Sequence, residues 1–98
     1  MEINSNLSPE QAKFALWVSE KMPYLEHIFD WSKPAYKPDV LESYLGVASH
    51  GQQIMARFVV GVWRNENQFG FDLITAVRTL DQTQSAIIAT WVQNPFFP

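Results

Sequence analysis

The chain has 98 residues, a net charge of −3 and no cysteine, with 47% apolar, 17% charged and 14% aromatic residues. That length supports one domain, residues 1–98, with a real but modest core that buries roughly 65% of the unfolded surface. The composition excludes disorder, the missing cysteines exclude disulfides and thiolate metal sites, and an unstapled domain of this size points to a reducing, cytoplasmic setting.

In chain order, residues 1–7 are expected to be a flexible start, and they lack the basic and apolar segments of a signal peptide. Ser8-Pro9-Glu10-Gln11 is a helix start. Ser8 caps the free amides, Pro9 suits the first helical position, and Gln11 closes a capping box. Phe14, Val18, Met22, Leu25 and Phe29 then recur near helical spacing and mark a buried stripe. Pro23, inside that pattern, either kinks one helix or opens a second short one at its own first turn. Trp31 to Pro38 carries Pro34 and Pro38 four apart and reads as an extended connector.

Asp39 with Glu42 resembles a further helix start, with Val40, Leu41, Tyr44 and Leu45 on one face and Gly46 as its end. Ser49 to Gln52 repeats the capping-box spacing ahead of Ile54, Met55, Phe58, Val59, Val62 and Trp63. Arg64 to Gln68, followed by Gly70, is a turn. Leu73, Ile74, Val77 and Leu80 form the next apolar stripe. Asp81 with Gln84 caps a last helix carrying Ile87, Ile88, Trp91 and Val92, which Pro95 stops.

The expected fold is therefore all-α, a compact bundle of about five helices with the aromatic C-terminal tail packed on it. The alternative is an α+β fold with a hairpin spanning residues 54–77, since Ile54 to Trp63 is rich in β-branched residues and Asn65-Glu66-Asn67 suits a hairpin tip. Helical spacing is preferred because it groups the apolar side chains and leaves Arg57 and Arg64 together on another face, whereas a strand would put Arg57 on the face of Met55, Val59 and Trp63. The longest apolar run, Phe58 to Trp63, is far too short for a membrane span.

No residue constellation carries chemistry by itself. His50 stands in the first turn of an expected helix, where the dipole disfavours the imidazolium and favours a neutral donor or base. It is the candidate ligand contact, set against a plain surface histidine. His27 and Asp30, three apart on one expected helix face with Glu26 nearby, offer two metal ligands where a site normally needs three or four. Carboxylate pairs such as Glu20 and Glu26, or Asp72 and Asp81, are not brought together by spacing, and capping accounts for Glu10, Asp39, Asp72 and Asp81. The four glycines are dispersed and match no phosphate-binding fingerprint. No catalytic residue, cofactor or metal site is expected.

Aromatic content and low charge are the distinctive features. Pro95-Phe96-Phe97-Pro98 either folds back on the core or docks into a partner. Trp31 and Tyr36 in the proline-flanked connector, with Phe96 and Phe97, are the candidate partner contacts, unless these rings instead cover the core. The expected function is a non-catalytic protein-interaction or self-associating domain, a homodimer included, that binds through an aromatic, charge-poor face. The alternative is a small enzyme or ligand-binding domain with His50 in its pocket. A DNA-binding helix pair around residues 72–93 ranks third, because the seven basic residues are scattered singly among ten acids.

Overall fold

The computed structural model describes residues 7–98, so all of the expected flexible start except Leu7 lies outside the described residues. Five α-helices dominate: α1 (Pro9–Lys21), α2 (Pro38–Val47), α3 (His50–Arg64), α4 (Leu73–Thr79) and α5 (Gln82–Gln93). A 3₁₀ helix, Pro23–Ile28, and a small hairpin of β1 (Phe29–Asp30) and β2 (Ala35–Tyr36) join α1 to α2. None of these helices is long and apolar enough to cross a membrane.

Three of the helix starts are reciprocal capping boxes. The side chains of Ser8, Ser49 and Asp81 accept from the backbone N–H three residues on, while Gln11, Gln52 and Gln84 reach back to the cap backbone. Each satisfies two amides that the helix geometry leaves free. Asp72 caps α4, accepting from Thr75 N–H at 2.8 Å and from its hydroxyl at 2.5 Å. Asp39 does not cap α2. Lys37 occupies the cap position without a side-chain bond and Pro38 takes the first helical position, so the fixed φ of proline displaces the start by two residues. Gly46 does not end α2 either; the helix continues to Val47.

Pro23 opens the 3₁₀ helix, because Met22 before it is pushed out of the α region. The connector is more ordered than an extended strand. Asp30 accepts from the Ser32 N–H at 3.0 Å and from its hydroxyl, which closes a turn and pairs Phe29 with Tyr36 and Asp30 with Ala35 in antiparallel register. Asp30 thus lies on a strand end, away from any helical face shared with His27.

The β-rich alternative over residues 54–77 does not form: residues 54–64 continue α3 and residues 73–79 are α4. The Ser49 box starts α3, and Asn65, in the left-handed region at φ 55°, ends it with its N–H turned back to Gly61 and Val62 carbonyls. In between, Ile54, Met55, Ala56, Phe58, Val59, Val60 and Val62 are all buried, which makes α3 the central helix. Arg57 and Arg64 part company: Arg57 donates to the Phe69 carbonyl at 2.8 Å, while Arg64 lies 3.8 Å from Glu66 on the surface.

Phe14 of α1 is the hub of the core. It is fully buried and its ring lies 5.0–6.1 Å from those of Trp17, Phe29, Trp31 and Trp63, with Trp63 nearest. Edge-on and tilted contacts of this kind add to plain burial, because ring edges meet ring faces. The C-terminal tail folds back on the bundle. Trp91 Nε1 donates to the Phe96 carbonyl at 3.1 Å, and Phe96 meets Trp17 edge-on at 5.1 Å.

Candidate functional site

His50 lines a cleft of about 350 Å³ together with Gln53, Arg57, Gly70, Asp72 and Thr75. Its position at the start of α3 is as expected, but the ring is exposed to solvent. The other polar groups of the cleft already have partners. Arg57 holds the Phe69 carbonyl, and Asp72 holds Thr75. The bonds from the Thr75 hydroxyl and amide keep the Asp72 carboxyl below its ordinary range, so it is ionised at neutral pH and serves α4 as a cap. The cleft joins a histidine, a guanidinium and a carboxylate without placing the acid and base against each other.

His27 makes an edge-on contact with Tyr44 at 5.4 Å. The Tyr44 hydroxyl is buried without a hydrogen-bond partner among the described residues, and burial raises its pKa. No group of three or more histidine, aspartate or glutamate side chains comes together among the described residues.

Of the four aromatic contacts expected at a partner surface, three are largely used within the molecule. Trp31 is half-buried and stacks on Phe29 at 5.0 Å with the rings 5° apart. Tyr36 is half-buried, edge-on to Phe69 at 5.6 Å. Phe96 is half-buried against Trp17, with the Lys13 ammonium 4.7 Å above its ring. Phe97 alone is exposed, resting edge-on against Trp91 at 5.4 Å.

Phe97 lies beside the largest departure from the sequence reading. Leu73, Ile74 and Val77 of α4 are 55%, 66% and 68% exposed, and Ala76 is the one buried residue of that helix. Three large aliphatic side chains on two helical turns thus face water. Leu73 also joins Val92 and Phe97, both exposed, on the rim of an apolar groove of about 380 Å³ whose floor includes Phe58, Val62 and Trp91. The periodicity was legible, but the side on which the stripe would be covered was not. No local signal marks that side, because spacing fixes which arc of α4 is apolar and not what packs against it.

Gly70 shapes the start of this face. Its φ of +78° lies in the region that only glycine adopts freely, and a Cβ there would stand 2.8 Å from Arg57 Nη1. Gly70→Ala is expected to cost about 2–3 kcal/mol in urea unfolding, from backbone strain and the displaced Arg57–Phe69 bond. Gly46→Ala is the opposing control. Nothing lies within 4 Å of a Cβ added in that turn of α2, so it should gain about 0.5–1 kcal/mol. Equal effects at the two positions would contradict the described loop.

Comparison of the chain with protein-family models, with curated proteins and with solved structures finds no match.

Proposed function

We propose that this domain works by binding a polypeptide, another protein or a second copy, through the apolar face formed by α4 and the groove beside it, and that it carries no catalysis of its own. One observation carries the reading: Leu73, Ile74, Val77, Val92 and Phe97 are all large, apolar and exposed, and three of them share one groove. Scattered exposed apolar residues are normal on a protein surface, but a contiguous set with few charges is the composition of an interface core. The overall scarcity of charge supports the same reading. A phosphate-backbone partner fits it poorly, since the seven basic residues are scattered singly along a chain of net charge −3. The missing cysteines fit a reducing, cytoplasmic setting.

The test is site-specific photo-crosslinking, in the purified protein and in extract of the source cells. A photo-reactive residue at Val77 should give discrete polypeptide adducts, and one at Glu42, exposed on α2, should give none. Loss of all adducts from position 77, or the same adducts from position 42, would sink the reading.

A further inference from the structure

We infer that the outward face of α4 pairs with the α4 of a second copy, antiparallel about a two-fold axis, and that this pairing is what covers Leu73, Ile74 and Val77. The inference rests on the binding-face reading above and names its occupant. The first argument is charge. α4 has Asp72 at its N-terminal cap and Arg78 in its last turn, both exposed, and between them no other charge. An antiparallel crossing brings Arg78 of each copy to the Asp72 end of the other, twice, and sets the two helix dipoles side by side in opposite directions, the favourable arrangement. A parallel crossing would set Asp72 against Asp72 and Arg78 against Arg78. Asp72 meets this requirement while capping its own helix, because a carboxylate accepts more bonds than the two from Thr75.

The second argument is shape and extent. Leu73, Ile74 and Val77 fall within one arc of the helix, at spacings of one, three and four residues. With the dyad between Thr75 and Ala76, Ile74 of one copy meets Val77 of the other, and Leu73 covers the far end of the partner helix. Leu73 also borders the groove of Val92 and Phe97, so the face extends past α4 but stays small, in the class of weak rather than obligate interfaces. A weak, concentration-dependent dimer is the expected form of such an association.

The test uses the whole chain. Sedimentation velocity should move from monomer towards dimer as the protein is raised from low to high micromolar concentration. Ile74→Asp should weaken the association at least about tenfold by placing an unpaired charge in the interface, with the helical circular dichroism unchanged. Arg78→Glu should weaken it too. Geometry is read by disulfide trapping, made clean by the missing native cysteines. A mixture of Ile74→Cys and Val77→Cys proteins, one carrying a tag, should yield the mixed disulfide in preference to either same-site disulfide. A strict monomer at every concentration, an association indifferent to Ile74→Asp, or dominance of same-site disulfides would each overturn the inference. A strict monomer that still forms foreign adducts from position 77 overturns the pairing and leaves the binding face standing. A monomer with no adduct overturns both.

Discussion

Replacing Phe14 by alanine is expected to lower the stability of this domain by about 3–5 kcal/mol, the cost of a large aromatic removed from a closed core. The number follows from what surrounds the ring. Phe14 has no solvent exposure, and four aromatic neighbours come from four different parts of the chain: Trp17 on α1, Phe29 on β1, Trp31 in the hairpin turn and Trp63 at the end of α3. A ring missing from the centre of that set leaves a void that none of the neighbours can fill alone. Trp31 is stacked on Phe29, and Trp63 is held edge-on to both. Since domains of this size are stable by roughly 5–15 kcal/mol, the loss is a large share of the whole. A thermal midpoint lowered by about 15–30 °C should result. Leu16→Ala, two residues along the same helix, is the control, because Leu16 is already half in water. Its effect should stay within about 1 kcal/mol. If thermal or urea unfolding found the two variants alike, Phe14 would not be the hub.

The hub also explains why the hairpin was hard to foresee. Its two strands are two residues each, far too short to show an alternating pattern. They are held instead by the Asp30–Ser32 turn and by Phe29 and Trp31 packing on Phe14, contacts between positions fifteen or more residues apart. The helices were legible for the opposite reason. Ser8, Ser49 and Asp81 announce their helices through bonds three residues long, and a signal that local survives without knowledge of the fold. Asp39 misled because Pro38 had already satisfied the start of α2 by fixing its backbone.

Legibility of the candidate site divides along the same line. His50 and the first turn of α3 follow from a local cap, so the position of that ring was readable, whereas its exposure was not. Trp31, Tyr36 and Phe96 stand out by composition, yet composition does not separate an aromatic residue that builds the core from one that faces a partner. Leu73, Ile74 and Val77 show the converse. Their spacing reads as a buried stripe, and only the packing of α4 on α3 turns that stripe outward. Periodicity says that a face is apolar; tertiary placement says what, if anything, lies against it.

Removing Pro95 to Pro98 is expected to cost about 2–2.5 kcal/mol and to damage the binding face at the same time. The tail is a terminus tied down by named contacts. Phe96 covers Trp17 edge-on and lies under the Lys13 ammonium, and its carbonyl takes the indole N–H of Trp91. The half-burial of the Phe96 ring is worth about 1–1.5 kcal/mol, half the full-burial value, and the hydrogen bond adds about 1 kcal/mol more. Truncation would leave the Trp91 N–H to water and open the ring faces of Trp17 and Trp91, which pack in turn on Phe58. The stability loss is therefore Phe96's share, and Phe96→Ala, which keeps the carbonyl that Trp91 bonds, should reproduce the ring's part of it in a urea titration. Phe97 contributes differently. Exposed, resting on Trp91 and lining the groove, it should be nearly neutral for folding when changed to serine, yet it should weaken whatever association the α4 face supports. The two phenylalanines, adjacent in sequence, are thus predicted to separate cleanly: one in the melting curve, the other in the binding isotherm. Equal effects of Phe96→Ala and Phe97→Ser on the unfolding midpoint would show that the tail is not seated as described.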